Sequence, residues 1–96
     1  MFKRIYSTRS KNDLNNIHDY ISLDNPVRAK TYIDEIETVI DNLTLFPNIG
    51  RTINEKTSDK RLIHGNYKII YEVKESKKTI YIKHVKNCAQ SEKSQF

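Results

Sequence analysis

Tyr67-Lys68-Ile69-Ile70-Tyr71-Glu72-Val73-Lys74 is the stretch on which the fold turns. Tyr67, Ile69, Tyr71 and Val73 alternate with Lys68, Ile70, Glu72 and Lys74, the period of two that marks a half-buried β-strand. Downstream, Glu75-Ser76-Lys77-Lys78 turns the chain into a last strand, Thr79 to Val85. Strict alternation there puts Ile80, Ile82 and His84 on one face and Tyr81, Lys83 and Val85 on the other. Upstream, Gly65-Asn66 turns the chain out of a short strand, Arg61-Leu62-Ile63-His64. Consecutive strands linked by short turns make a three-stranded antiparallel meander.

The half of the chain before Pro47 has a different period. Phe2 to Ser7 alternates well enough for a short N-terminal strand, and Ser10 with Asp13 resembles a capping box. Leu14, Ile17 and Ile21 then recur at helical spacing over about 11–23. Asn25 is placed to cap a second helix, with Pro26 at its first position, where the missing N–H costs nothing. That helix carries Ala29, Ile33, Ile36, Ile40 and Leu43, joined by Tyr32 and Val39, and stops at Phe46-Pro47. Two striped helices with so short a link pack antiparallel. Asn48-Ile49-Gly50-Arg51 reads as a turn, and Asn54 to Lys60 as an exposed loop. The fold class is therefore α+β: strand, helical hairpin and three-stranded meander, with the helices on one face of the sheet and the other face open.

The whole chain, 1–96, fits one domain, with 87–96 as a polar tail. Apolar residues are 36% and charged ones 30%, yet the branched residues are periodic, which excludes a disordered chain. No apolar run reaches the roughly 18 residues a membrane span needs, and no export signal opens the chain. The single cysteine, Cys88, has no partner for an internal disulfide, so a reducing cytoplasm is expected. Net charge is +5 and unevenly spread: residues 1–45 hold 6 basic and 7 acidic groups, residues 46–96 hold 11 and 5. Such a field suits nucleic acid or an acidic protein as partner.

The sequence has no Gly-rich phosphate loop, and His18, His64 and His84 lie on different elements without ligand spacing. Neither a cofactor nor a metal is expected. The residues that draw interest are Arg51, Arg61, Lys68, Lys83, His84 and Lys86, which the meander brings toward one open face. Chemistry on RNA would use such parts: a general base for the ribose 2′-hydroxyl, cations for the phosphorus oxygens and an aromatic for stacking. His84 is the candidate base. The competing reading is that these lysines only keep the outer face and edges of the sheet soluble.

The order of elements, Asp13-Leu14 through Tyr20-Ile21, the helix Ala29 to Leu43, Phe46-Pro47-Asn48-Ile49-Gly50-Arg51, and Arg61 through Val73 together resemble the RelE/ParE superfamily of bacterial toxins. The resemblance runs from residue 2 to about 87. It implies the toxin of a type II toxin–antitoxin pair, of the kind linked to plasmid stabilisation. Growth inhibition would be neutralised by a cognate antitoxin whose extended or helical segment wraps over the toxin in a hetero-oligomer. RelE-like members cut mRNA on the ribosome without metal, whereas ParE-like members bind DNA gyrase. The long helical hairpin and the Pro-x-x-Gly-Arg turn favour the ParE-like branch, with Arg51, Arg61, Lys68, Lys83 and His84 as target-binding residues. Under the RelE-like alternative, a ribosome-dependent mRNA endoribonuclease, His84 and Arg61 would be catalytic. Where many relatives carry an arginine just after the last strand, this chain has Asn87-Cys88-Ala89-Gln90, which weakens that alternative.

Overall fold

The structure is a computed structural model and describes residues 1–88. Its order is β1 (Lys3–Tyr6), α1 (Thr8–Ser22), α2 (Pro26–Leu43), β2 (Arg51–Asn54), β3 (Asp59–His64), β4 (Tyr67–Lys74), a 3₁₀ turn at Glu75–Lys77, and β5 (Thr79–Asn87). The strands form one sheet in the order β1-β5-β4-β3-β2. β2 to β5 pair antiparallel, and β1 lies parallel to β5, the helical hairpin having carried the chain from one edge of the sheet to the other. The α+β reading holds, with the meander longer by one strand.

That added strand was hidden by its composition. Arg51-Thr52-Ile53-Asn54 is exposed along its whole length, so burial imposes no alternation on it, and it is held by its ladder to β3. Because β3 begins at Asp59, the loop expected from Asn54 to Lys60 narrows to four residues, 55–58.

α1 also starts earlier than the sequence suggests. Its cap is Ser7, whose hydroxyl accepts the Ser10 N–H at 2.9 Å, while Ser10 is fully buried and donates its own hydroxyl to the Ser7 carbonyl. The Ser10–Asp13 capping box therefore does not form. α2 begins as expected, with Asn25 accepting the Arg28 N–H and Pro26 at the first position.

Leu14 and Ile17 of α1 and Tyr32, Ile36, Ile40 and Leu43 of α2 close over Ile69, Tyr71, Val73, Ile80, Ile82 and Val85 of the sheet. Burial of each large apolar side chain stabilises the fold by about 1.5–3 kcal/mol, which makes this interdigitated layer the main adhesive between hairpin and sheet. No described helix is long and apolar enough to cross a membrane. The expected tail began at Asn87, yet Asn87 ends β5 and the Cys88 N–H donates to the Asn66 carbonyl at 2.8 Å. The remainder of that tail, 89–96, lies outside the described residues.

Candidate functional site: the helix-free face of the sheet

In an antiparallel ladder, paired residues project to the same side, so register assigns faces. Ile69 pairs with Val85, Tyr71 with Ile82 and Val73 with Ile80, and all six sit under the helices. The intervening residues face away. Arg51 pairs with Arg61, Arg61 with Ile70 and Ile70 with His84, which makes one row across four strands on the helix-free face. Ile63, Lys68 and Lys86 form the next row, and Asp59, Glu72 and Tyr81 the row on the other side. The register thus brings Arg51, Arg61, Lys68 and His84 onto one surface, and Lys83 joins them through its ion pairs with Asp59 and Glu72 of the same face.

His84 reaches that surface by a route that alternation did not foresee. The β4–β5 register shifts between Ile70 and Tyr71, whose partners are His84 and Ile82, so Lys83 is an extra residue in β5. This is a β-bulge, which resets the alternation. Val85 consequently joins Ile80 and Ile82 in the core, at 2% exposure, and His84 turns outward. The expectation that His84 shares a face with Ile80 and Ile82 is corrected.

The cations on this face differ in their surroundings. Lys83 Nζ lies 2.8 Å from Asp59 Oδ1 and 3.5 Å from Glu72 Oε1, and the Asp59 carboxylate beside it holds its ammonium pKa above the usual lysine value. Its charge is met within the fold. Lys68 is buried, at 8% exposure. Arg51 is exposed in β2 and makes no ion pair with the helical hairpin among the described residues.

His84 is half-buried, and its buried Nδ1 has no hydrogen-bond partner among the described residues. Burial pushes its pKa below the ordinary histidine value, helped by the charges of Arg9, Lys86 and Lys83 and opposed by Asp13. Lys86 is likewise lowered by burial and by Arg9. Arg9, in the first turn of α1, is the cation that sequence reasoning missed. It is 75 positions from His84, and no local pattern links a helix start to the end of a distant strand.

The turn that presents Arg51 is bolted from below. The Tyr71 hydroxyl accepts the Gly50 N–H and donates to the Pro47 carbonyl, both at 2.9 Å. No group of three or more His, Cys, Asp or Glu among the described residues is arranged to hold a metal ion. Chemically, the face offers guanidinium forks for phosphates or carboxylates and an imidazole whose neutral form is favoured.

A five-stranded sheet backed by one helical hairpin is also the frame onto which solved toxin–antitoxin proteins superpose. A chain of the chromosomal ParDE system from P. aeruginosa superposes with a TM-score of 0.73 at 22% identity, covering 91% of this chain and 96% of that one. A chain of the RelBE2 toxin–antitoxin complex from Mycobacterium tuberculosis gives 0.65 at 17% identity, covering 90% and 96%. The isolated E. coli RelE toxin gives 0.70 at 11% identity, covering 98% and 92%. No curated protein is a significant sequence match. Residues 4–91 match the family described as the ParE toxin of the type II toxin–antitoxin system parDE, and the chain belongs to that family.

Proposed function

We propose that the protein is a ParE-like toxin that inhibits growth in the cytoplasm by binding DNA gyrase and is neutralised by a cognate antitoxin. The observation that carries this reading is membership of the ParE toxin family over residues 4–91. The shared surface of Arg51, Arg61, Lys68 and His84, extended by Arg9 and Lys86, supports it by supplying an electropositive contact area. Lys83 acts there through the fold, because its ammonium is taken by Asp59 and Glu72. Binding energy then comes from guanidinium groups on rigid strands, which lose little freedom on docking.

The antitoxin contact follows from two other features. Tyr20, Leu23 and Val27 at the hairpin tip, and Leu45, Phe46 and Ile49 beyond α2, are large apolar side chains left exposed. An antitoxin segment that buries such groups and brings carboxylates to the cations neutralises both.

One observation favours the second reading, metal-independent cleavage of ribosome-bound mRNA. His84 has a depressed pKa and lies in the same row as Arg61, an arrangement suited to a general base beside a phosphate clamp. Induction in cells tests the main proposal. Growth arrest with accumulation of broken DNA, relieved by co-expression of the protein encoded beside it, is the expected result. Growth that is unaffected at high expression contradicts it.

A further inference from the structure

β1 pairs with β5 only from Lys3–Thr79 to Tyr6–Ile82, but β5 continues to Asn87. Beyond Ile82 its outer edge therefore has no strand partner among the described residues. A shift of one residue in a strand moves every side chain beyond it to the opposite face, so what meets this open edge bears on which side His84 takes. Here the start of α1 takes the place of the missing strand. The Ser7 N–H donates to the Ile82 carbonyl at 2.9 Å, the Ser7 hydroxyl donates to the Lys83 carbonyl at 2.8 Å, and Asp13 Oδ2 accepts the Val85 N–H at 3.0 Å. These three bonds straddle the bulge at Lys83, and the Asp13 bond is the one beyond it.

We propose that Asp13 is a positioning residue: by accepting the Val85 N–H it fixes the bulge in β5, keeps Val85 in the core and holds His84 on the helix-free face. That His84 belongs to a functional surface rests on the proposed function; that Asp13 holds the bulge rests on geometry alone. Asp13 suits the task because it projects from the second turn of α1, a helix anchored at Ser7 to the same strand. A carboxylate is also the strong acceptor for a backbone N–H in a region crowded by Arg9, Lys83 and Lys86. Asp13 is the acidic group among those that act on His84. The others are Arg9 from α1 and Lys83 and Lys86 from β5 itself.

The test compares Asp13→Asn, which retains an acceptor oxygen, with Asp13→Ala, which removes it, in the full-length chain labelled for NMR. In the Ala variant the Val85 amide is expected to exchange about tenfold faster or more relative to Ile69 and Tyr71, which report the stability of the sheet as a whole. In the Asn variant Val85 stays protected, and the His84 imidazole titrates at lower pH than in the parent because a neighbouring negative charge is gone. Growth arrest is expected to be lost in the Ala variant and retained in the Asn variant. Val85 exchange in the Ala variant that merely tracks Ile69 and Tyr71 overturns the proposal, whatever the toxicity. Should the Ala variant fail to fold, the Asn variant decides: a Val85 amide as protected as Ile69 and Tyr71 supports it, and a Val85 amide that exchanges faster than they do overturns it. A parent chain that does not arrest growth counts against the toxin reading and leaves the exchange and titration results to judge Asp13.

Discussion

The hydroxyl of Tyr71 occupies the space that a side chain at Gly50 would need. A Cβ built on Gly50 falls 2.5 Å from that oxygen and 2.9 Å from the Arg61 carbonyl. The closeness is what allows the phenol to grip the turn, accepting from Gly50 and donating to Pro47. A fully buried residue of β4 thus sets the path of the backbone into Arg51.

Tyr71→Phe is expected to leave the Gly50 N–H and the Pro47 carbonyl without their partner, at a cost of about 1–3 kcal/mol. In a domain of this size that lowers Tm by roughly 4–8 °C per kcal/mol, readable by thermal denaturation. Gly50→Ala is expected to cost at least as much, since neither the buried ring nor the Arg61 carbonyl has room to retreat. An Ala variant as stable as the parent would show that the turn is not clamped.

Lys83 is expected to report on stability before it reports on target contact. Asp59 is largely buried, so Lys83→Ala leaves a carboxylate without its counter-ion and lowers stability by about 1–3 kcal/mol. Denaturant titration of this variant beside Lys83→Ala/Asp59→Asn checks the origin of the loss. Recovery of stability in the double variant is the expected result, and additive losses would contradict it.

Acid should weaken the link between α2 and the β3–β4 turn. Glu35 accepts from Arg28 at 2.8 Å and lies 3.2 Å from His64 Nε2, and its pKa is lowered first by the Arg28 hydrogen bond and then by that of His64. A carboxyl with a folded pKa below its unfolded value of 4.5 contributes stability that is fully present above pH 4.5 and is lost as pH falls through the folded value. Glu35→Gln is therefore expected to show a shallower fall of stability below pH 4.5 in denaturant melts, with no change in slope at neutral pH. An unchanged acid slope would place the loss elsewhere.

The helices and β4 were legible because burial wrote a period into them, Leu14 and Ile17 on α1, Ala29 to Leu43 on α2 and Tyr67 to Val73 on β4, and the short turns on either side of β4 made β3 and β5 legible with it. Arg51-Thr52-Ile53-Asn54 carried no such mark, since an edge strand exposed on both sides is defined only by backbone bonds to its neighbour. The bulge at Lys83 was illegible for another reason. It is set by where β1 ends and by Ser7 and Asp13 across the chain, whereas Lys83-His84-Val85 itself contains neither glycine nor any other local signal. The candidate cations could be named from charge, but their common face follows from the register of four strands, and Arg9 enters only through tertiary packing.

Arg51 and Arg61 are the direct neighbours at the β2 end of the cationic row. If both touch the target, Arg61→Ala and Arg51→Ala each weaken growth inhibition. Loss of inhibition with an unchanged Tm identifies a contact residue, while a fall of several degrees identifies a structural one. Arg51, on an exposed strand, is expected to give the cleaner separation. Full toxicity in the double Ala variant would remove both from the site.

Gyrase supercoiling, assayed with the purified full-length chain in parallel with transcript-end mapping on ribosome-bound mRNA, tests the central claim most directly. The account expects supercoiling to fall as the chain is titrated in, to recover when the cognate antitoxin is added, and translated mRNA to stay intact. Undiminished supercoiling together with codon-phased mRNA cleavage that disappears in His84→Ala would contradict it and make the protein an endoribonuclease.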